Sequence, residues 1–90
     1  MEQKEENLSR AISAYPRRQI LRLLGEKDLT VREIAQQVNL SDSLASRHLK
    51  LLYDLGFLNM VKKYPHKYYS LKYKELKSLL EIYDKVIEKL

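Results

Sequence analysis

Four residues of the stretch SDSLASRHLKLLYDLG, Ser41–Gly56, fall where a helix would gather them on one face: Ser43, Ser46, Arg47 and Lys50. Steps of three, one and three keep successive side chains adjacent on a helical surface. Short hydroxyls permit close approach to another surface, and a guanidinium can hold guanine through two parallel hydrogen bonds. An ammonium reaches phosphate and adds salt-dependent affinity. Together they match what a helix needs in a DNA major groove. On that face neither cation is expected to have a salt-bridge partner a turn away, which leaves both free for an anion. The competing reading is an ordinary solvated face. Asp42 is read as a first-turn residue favoured by the helix dipole, not as a base reader.

A second basic cluster follows. Lys62, Lys63, His66 and Lys67 surround an expected turn at Tyr64–Pro65–His66–Lys67. A basic hairpin tip can clamp the phosphate backbone or enter the minor groove. Lysines at an exposed sheet edge also guard against strand-to-strand aggregation, which is the plainer explanation. Arg17 and Arg18 open another helix, where positive charge opposes the helix dipole. That cost points to a separate purpose, either phosphate contact by Arg17 or an ion pair with an acid of the first helix. His48 lies on the apolar side of its helix and is read as a hydrogen-bonded packing residue.

The distribution of charge agrees with these two clusters. The chain has 90 residues and a formal charge of +5. Residues 41–73 hold six Lys or Arg against two Asp or Glu, whereas residues 74–90 hold four of each. A polyanionic partner is therefore expected to meet the middle of the chain. There is no cysteine, so disulfides, thiolate metal sites and cysteine nucleophiles are excluded. No glycine-rich phosphate loop, no nucleophile with its base, and no plausible pair of catalytic carboxylates stands out, so no enzymatic role and no cofactor are expected. No apolar run reaches the length of a membrane span, and an intracellular, cytoplasmic protein is the default.

The elements that must carry these residues can be read from periodicity and punctuation. Leu8, Ala11, Ile12 and Tyr15 predict a helix over 2–14, and Pro16 suits the start of a second. Ile20, Leu21, Leu23 and Leu24 give that second helix an apolar side, and Gly25 should stop it. Thr30 and Glu33 form a capping box before Ile34, Ala35 and Val38. Ser41 caps the next helix, whose Leu44, His48, Leu51, Leu52 and Leu55 are expected to share the inward side, with Gly56 as terminator. Aromatic and β-branched residues on either side of Pro65 predict a β-hairpin over 57–72. Tyr68 and Tyr69 should then face opposite ways, one packing and one meeting solvent or DNA. Tyr53, Tyr73 and Tyr83 are read as packing residues with a wet hydroxyl. The last helix, 73–90, has an apolar stripe wider than one seam, including Leu80, Ile82 and Ile87.

The runs RRQILRLL and LTVREIAQQVNLSDSLASRHLKLLYDLGFL, followed by a hairpin ending in YYSL, resemble the ArsR-like winged-helix repressors over about residues 16–72. The most specific part is S-x-x-S-R-H-L-K-x-L-x-x-x-G-x-L from Ser43 to Leu58. The resemblance implies a mainly α fold with a small β-hairpin: one winged helix-turn-helix domain over residues 1–90. The helix-turn-helix would occupy about 30–55 and the wing about 57–72. The helices at 2–14 and 73–90 would form the dimer surface. It also implies a homodimeric, sequence-specific regulator of transcription, a repressor acting on double-stranded DNA with an inverted-repeat operator. DNA contacts would fall to Ser43, Ser46, Arg47, Lys50, Lys62, Lys63, His66, Lys67 and Arg17. The dimer interface would use Leu8, Ile12, Tyr15, Leu76, Leu79, Tyr83, Val86 and Leu90. Many members sense metals, but this chain lacks the thiolates of one common site and the last-helix histidines of the other, so no metal site is assigned. A protein-interaction adaptor and a sequence-nonspecific architectural DNA binder are the alternative functions.

Overall fold

The computed structural model describes residues 2–90 and contains five helices and a three-stranded sheet. Helix α1 (Glu2–Ile12) is followed by α2 (Tyr15–Leu24), the short strand β1 (Leu29–Thr30), α3 (Val31–Val38) and α4 (Asp42–Asp54). Strands β2 (Leu58–Lys63) and β3 (His66–Leu71) form the hairpin, and α5 (Glu75–Glu88) closes the chain. This is a winged helix-turn-helix, as the sequence predicts.

Local chemistry sets the boundaries. Ala14 is extended and Pro16 sits in the first turn of α2, where its missing N–H costs nothing. The Thr30 hydroxyl accepts from the Glu33 N–H at 3.2 Å, and the Thr30 N–H donates to the Glu33 carboxylate at 2.9 Å. That reciprocal box starts α3, and the bonds from Thr30 hold the Glu33 carboxyl below its usual pKa. Asn39, left-handed at φ 58°, ends α3 and makes the tight turn of the motif. The Ser41 hydroxyl then accepts from the Leu44 N–H at 3.0 Å and starts α4. Gly56 leaves α4 at φ +94°, a conformation that strains any side chain. Gly25 ends α2 differently. It is right-handed at φ −67°, and what it provides is room: a Cβ there would lie 3.2 Å from the Arg22 carbonyl and from Lys77 Cγ of α5.

Almost every element contributes to one apolar core: Ala11, Ile20, Leu21, Leu24, Leu29, Ile34, Leu49, Leu52, Leu58, Leu76 and Leu80. No polar or charged side chain is buried among the described residues. Arg22 ties α2 to α5 through a forked pair with Asp84, Nη2–Oδ1 2.6 Å and Nε–Oδ2 3.2 Å.

Four expectations need correction. The buried seam of α4 is Ala45, Leu49 and Leu52, with Leu44, His48, Leu51 and Leu55 half-buried on its flank. At about 100° per residue this turns the helix by roughly a quarter from the expected orientation. The hairpin turn is only Tyr64–Pro65; His66 and Lys67 already belong to β3, paired with Lys63 and Lys62. Strand β1 was not expected at all. It pairs antiparallel with β3, Leu29 opposite Tyr69 and Thr30 opposite Tyr68, and anchors the wing to the start of α3. Finally, Tyr53 and Tyr73 are nearly half exposed, so neither is a packing residue of the monomer, whereas Tyr83 packs against the core.

Candidate nucleic-acid interface

Because Ala45, Leu49 and Leu52 hold α4 against the core, its opposite face points outward. Ser43, Ser46, Arg47 and Lys50 are all exposed on it. Arg47 has no ion-pair partner among the described residues. Lys50 does have one: its Nζ lies 3.0 Å from Asp54 Oδ2, a turn further along, contrary to the sequence expectation of two free cations. Both members are exposed, and such a pair is weak and screened by salt, so phosphate can displace the carboxylate.

The wing stands beside this helix. Asp42, at the start of α4, lines one open cleft with Thr30, Arg32, Glu33 and Gln36 of the α3 end and with His66, Lys67 and Tyr68 of β3. Within the wing, Lys62 sits opposite Lys67, and Lys63 opposite His66. Lys62 and Lys67 are like charges placed directly across the strand pair, which destabilises it, a cost that an anionic partner would relieve. Lys63 Nζ lies 5.6 Å from the centre of the Tyr68 ring, and His66 meets the same ring edge-on at 6.4 Å between centroids. Tyr69 points the other way and packs on the core, so the two adjacent tyrosines divide as expected. Tyr64 at the tip is 99% exposed.

Arg17 is not part of this exposed face. Its guanidinium turns inward onto the last carbonyls of α1: Nη2 donates to Arg10 O at 2.7 Å and Nε to Arg10 O and Ala11 O at 3.2 and 3.3 Å. Nη2 also reaches Ser13 Oγ at 3.1 Å. Arg18 does the same for Ile12 O at 2.7 Å and lies over the rings of Tyr15 and Tyr83. Two cations that oppose the dipole of α2 thus cap the carbonyl end of α1, where positive charge is favoured. Neither phosphate contact nor an acid of α1 is needed to explain them.

Of the residues expected at a dimer surface, Leu76 is only 5% exposed and belongs to the monomer core, not to an interface. Leu8, Ile12 and Tyr83 are half-buried and also lean on the core. Tyr15, Leu79, Val86 and Leu90 are exposed, and so are Ile82 and Ile87, two residues the expected interface omitted. Arg32 and Gln36, which share the wing cleft, were likewise not singled out. Their signal was available, since Arg32 lies within the capping box and Gln36 about one turn beyond Arg32, both at exposed positions of α3.

The chain matches the sequence model of the bacterial regulatory protein ArsR family over residues 16–60. It belongs to the ArsR family. The matched span runs from the start of α2 through the helix-turn-helix into β2. A curated relative, the transcriptional activator HlyU of Vibrio cholerae serotype O1, is 33% identical over 75 residues, which is 83% of this chain and 69% of the relative. Among solved structures, reduced HlyU from Vibrio cholerae superposes with a TM-score of 0.82 at 31% identity, covering 92% of this chain and 87% of that one. The homodimeric winged helix-turn-helix DNA-binding domain Mb0332 from Mycobacterium bovis gives a TM-score of 0.84 at 22% identity, covering 96% and 80%. This ArsR-family chain is therefore a winged helix-turn-helix DNA-binding domain of a transcriptional regulator, not an enzyme. Among its described residues no group of three or more His, Asp or Glu is placed to hold a metal ion, and no helix is long and apolar enough to cross a membrane.

Proposed function

We propose that this chain acts as a homodimer that reads an inverted-repeat operator in double-stranded DNA, with one α4 in each of two successive major grooves. Half-sites would then lie about 34 Å apart, one turn of the duplex. Ser43, Ser46 and Arg47 face the base edges, Arg47 suited to guanine. Lys50 and the wing residues Lys62, Lys63, His66 and Lys67 grip the backbone. The observation that carries this reading is the exposed, hydroxyl-rich and basic face of α4, with Arg47 unpaired, beside a wing of mutually repelling charges.

The second copy would cover the apolar face of α5 and its neighbour Tyr15. Ile82 and Val86 are 60% and 55% exposed there, a large apolar exposure for a monomer of this size. Occupying a promoter then represses by exclusion, although the 33% identical relative is called an activator. Selection of duplexes from a randomised library at near-physiological salt tests the DNA reading. An enriched inverted repeat with half-sites one helical turn apart supports it; retention without sequence enrichment makes the chain an architectural binder. No retention by a folded dimer overturns it. A promoter–reporter fusion carrying the selected site then gives the sign: a fall in output with the protein present supports repression, a rise refutes it.

A further inference from the structure

Arg17 makes one contact that capping α1 does not require. Its Nη1 lies 3.4 Å from Nδ1 of His48, on the half-buried flank of α4. The same guanidinium therefore touches the end of α1 and the recognition helix. For this contact to be a hydrogen bond His48 must be neutral, with its proton on Nε2, because an arginine can only donate. Burial, then the charges of Arg17 and Arg47, lower the His48 pKa from its ordinary 6.5, which favours that neutral form. The charged groups facing the imidazole are Arg17 from α2 and Arg47 from α4 itself, with Arg10 of α1 beyond Arg17.

We propose that Arg17 is a positioning residue for DNA binding, a strut from the carbonyl end of α1 to His48 that sets how α4 presents Ser43, Ser46 and Arg47. A planar fork is the group that can do this. It serves the carbonyls of Arg10 and Ala11 with one edge while another nitrogen meets His48, a span that a single ammonium cannot cover. The strut links an arm of the apolar face to the recognition surface, so whatever holds α1 also steadies α4. Protonation of His48 removes the acceptor and brings three positive groups together, which releases the strut. The inference rests on the proposed DNA reading and adds a residue that touches no DNA.

The test compares wild type with R17K, R17Q, H48N and H48L on the selected operator, across a salt series and from pH 5 to 8. Melting and oligomeric state are measured alongside. R17K keeps the charge, yet it is expected to lose about ten-fold in affinity with a wild-type salt slope, the scale of a hydrogen bond or two to a charged group. R17Q should lose as much, also without a change of slope. H48N offers an acceptor near the place of Nδ1 and should bind as wild type at pH 7.5, while H48L falls with R17K. Combining H48L with R17K should cost no more than either alone, because the two remove the same link. Wild type should weaken relative to H48N as the pH falls below the ordinary imidazole value of 6.5, from which His48 is lowered.

R17K binding as wild type does would overturn the proposal. So would a salt slope reduced by about 0.9 per subunit in R17Q, which would make Arg17 a phosphate contact, or an H48L with undiminished affinity. The H48 variants decide the matter if Arg17 substitutions fail to fold. Wild type binding no duplex at all sinks the DNA reading and this inference together; wild type binding with R17K equal to it sinks the inference alone.

Discussion

Replacing Arg47 by alanine separates base reading from general attraction to a polyanion. The side chain is exposed, lies on the outward face of α4, and has no ion-pair partner among the described residues, so folding should not depend on it. Melting is therefore expected to move by no more than a surface substitution allows, within about 0.5 kcal/mol. A bidentate arginine–guanine contact is worth about 1–3 kcal/mol of discrimination, roughly 5- to 150-fold for each half-site. Two half-sites double the free energy. Lys50→Ala is the control: it removes a cation already shared with Asp54 and should weaken all duplexes alike. Its salt slope should fall by about 0.9 per subunit. Fluorescence anisotropy on the operator, and on the same duplex with the contacted base pair changed, reads both quantities. R47A should lose affinity for the operator and lose the preference between the two duplexes. If R47A instead weakens both duplexes equally, or binds as wild type, Arg47 does not read a base and the reasoning from its exposure and geometry is wrong.

Three further outcomes follow from the fold. Ile82→Lys, on the exposed face of α5, should shift the protein towards monomer in sedimentation without loss of helix content, whereas an unchanged state would remove that face from the interface. Leu76→Ala empties a core position and should cost about 2–5 kcal/mol in denaturant unfolding while leaving the monomer–dimer balance unchanged, which truncation of an intersubunit residue would shift. Gly56→Ala should destabilise by about 1 kcal/mol although nothing lies within 4 Å of the added methyl, because the cost comes from φ +94° and not from a clash; a neutral result would mean the turn can relax.

What proved legible in the sequence is what neighbours along the chain decide. The capping box of Thr30 and Glu33, the Ser41 cap, the proline entry of α2 and the glycine exit of α4 each close within four residues, and all four are observed. The exposed set Ser43, Ser46, Arg47 and Lys50 was legible for the same reason, as helical spacing alone puts them together. The Lys50–Asp54 pair, at a spacing of four, is equally local, and it is what contradicts the expectation of a free Lys50.

The remainder depends on partners distant in the chain. A two-residue strand has no signature of its own; β1 exists because β3, about forty residues later, offers it a ladder. The quarter turn of α4 reflects the choice of Ala45 and Leu49 over Leu44 and Leu51 as the buried residues, a choice made by the shape of the core they must fill. Leu76 and Ile82 read alike as apolar positions on one helix, and only the packing of α5 on α2 buries the first and exposes the second. Arg17 shows the division most sharply. Its sequence position declared a cation at the wrong end of a helix, but the chain doubles back there, and the carbonyls of α1 and the imidazole of His48 turn that misfit into a junction. Local hydrogen bonding and periodicity determine elements and the faces they offer; which face is buried, and which charge is left free, is settled only when every element competes for the same core.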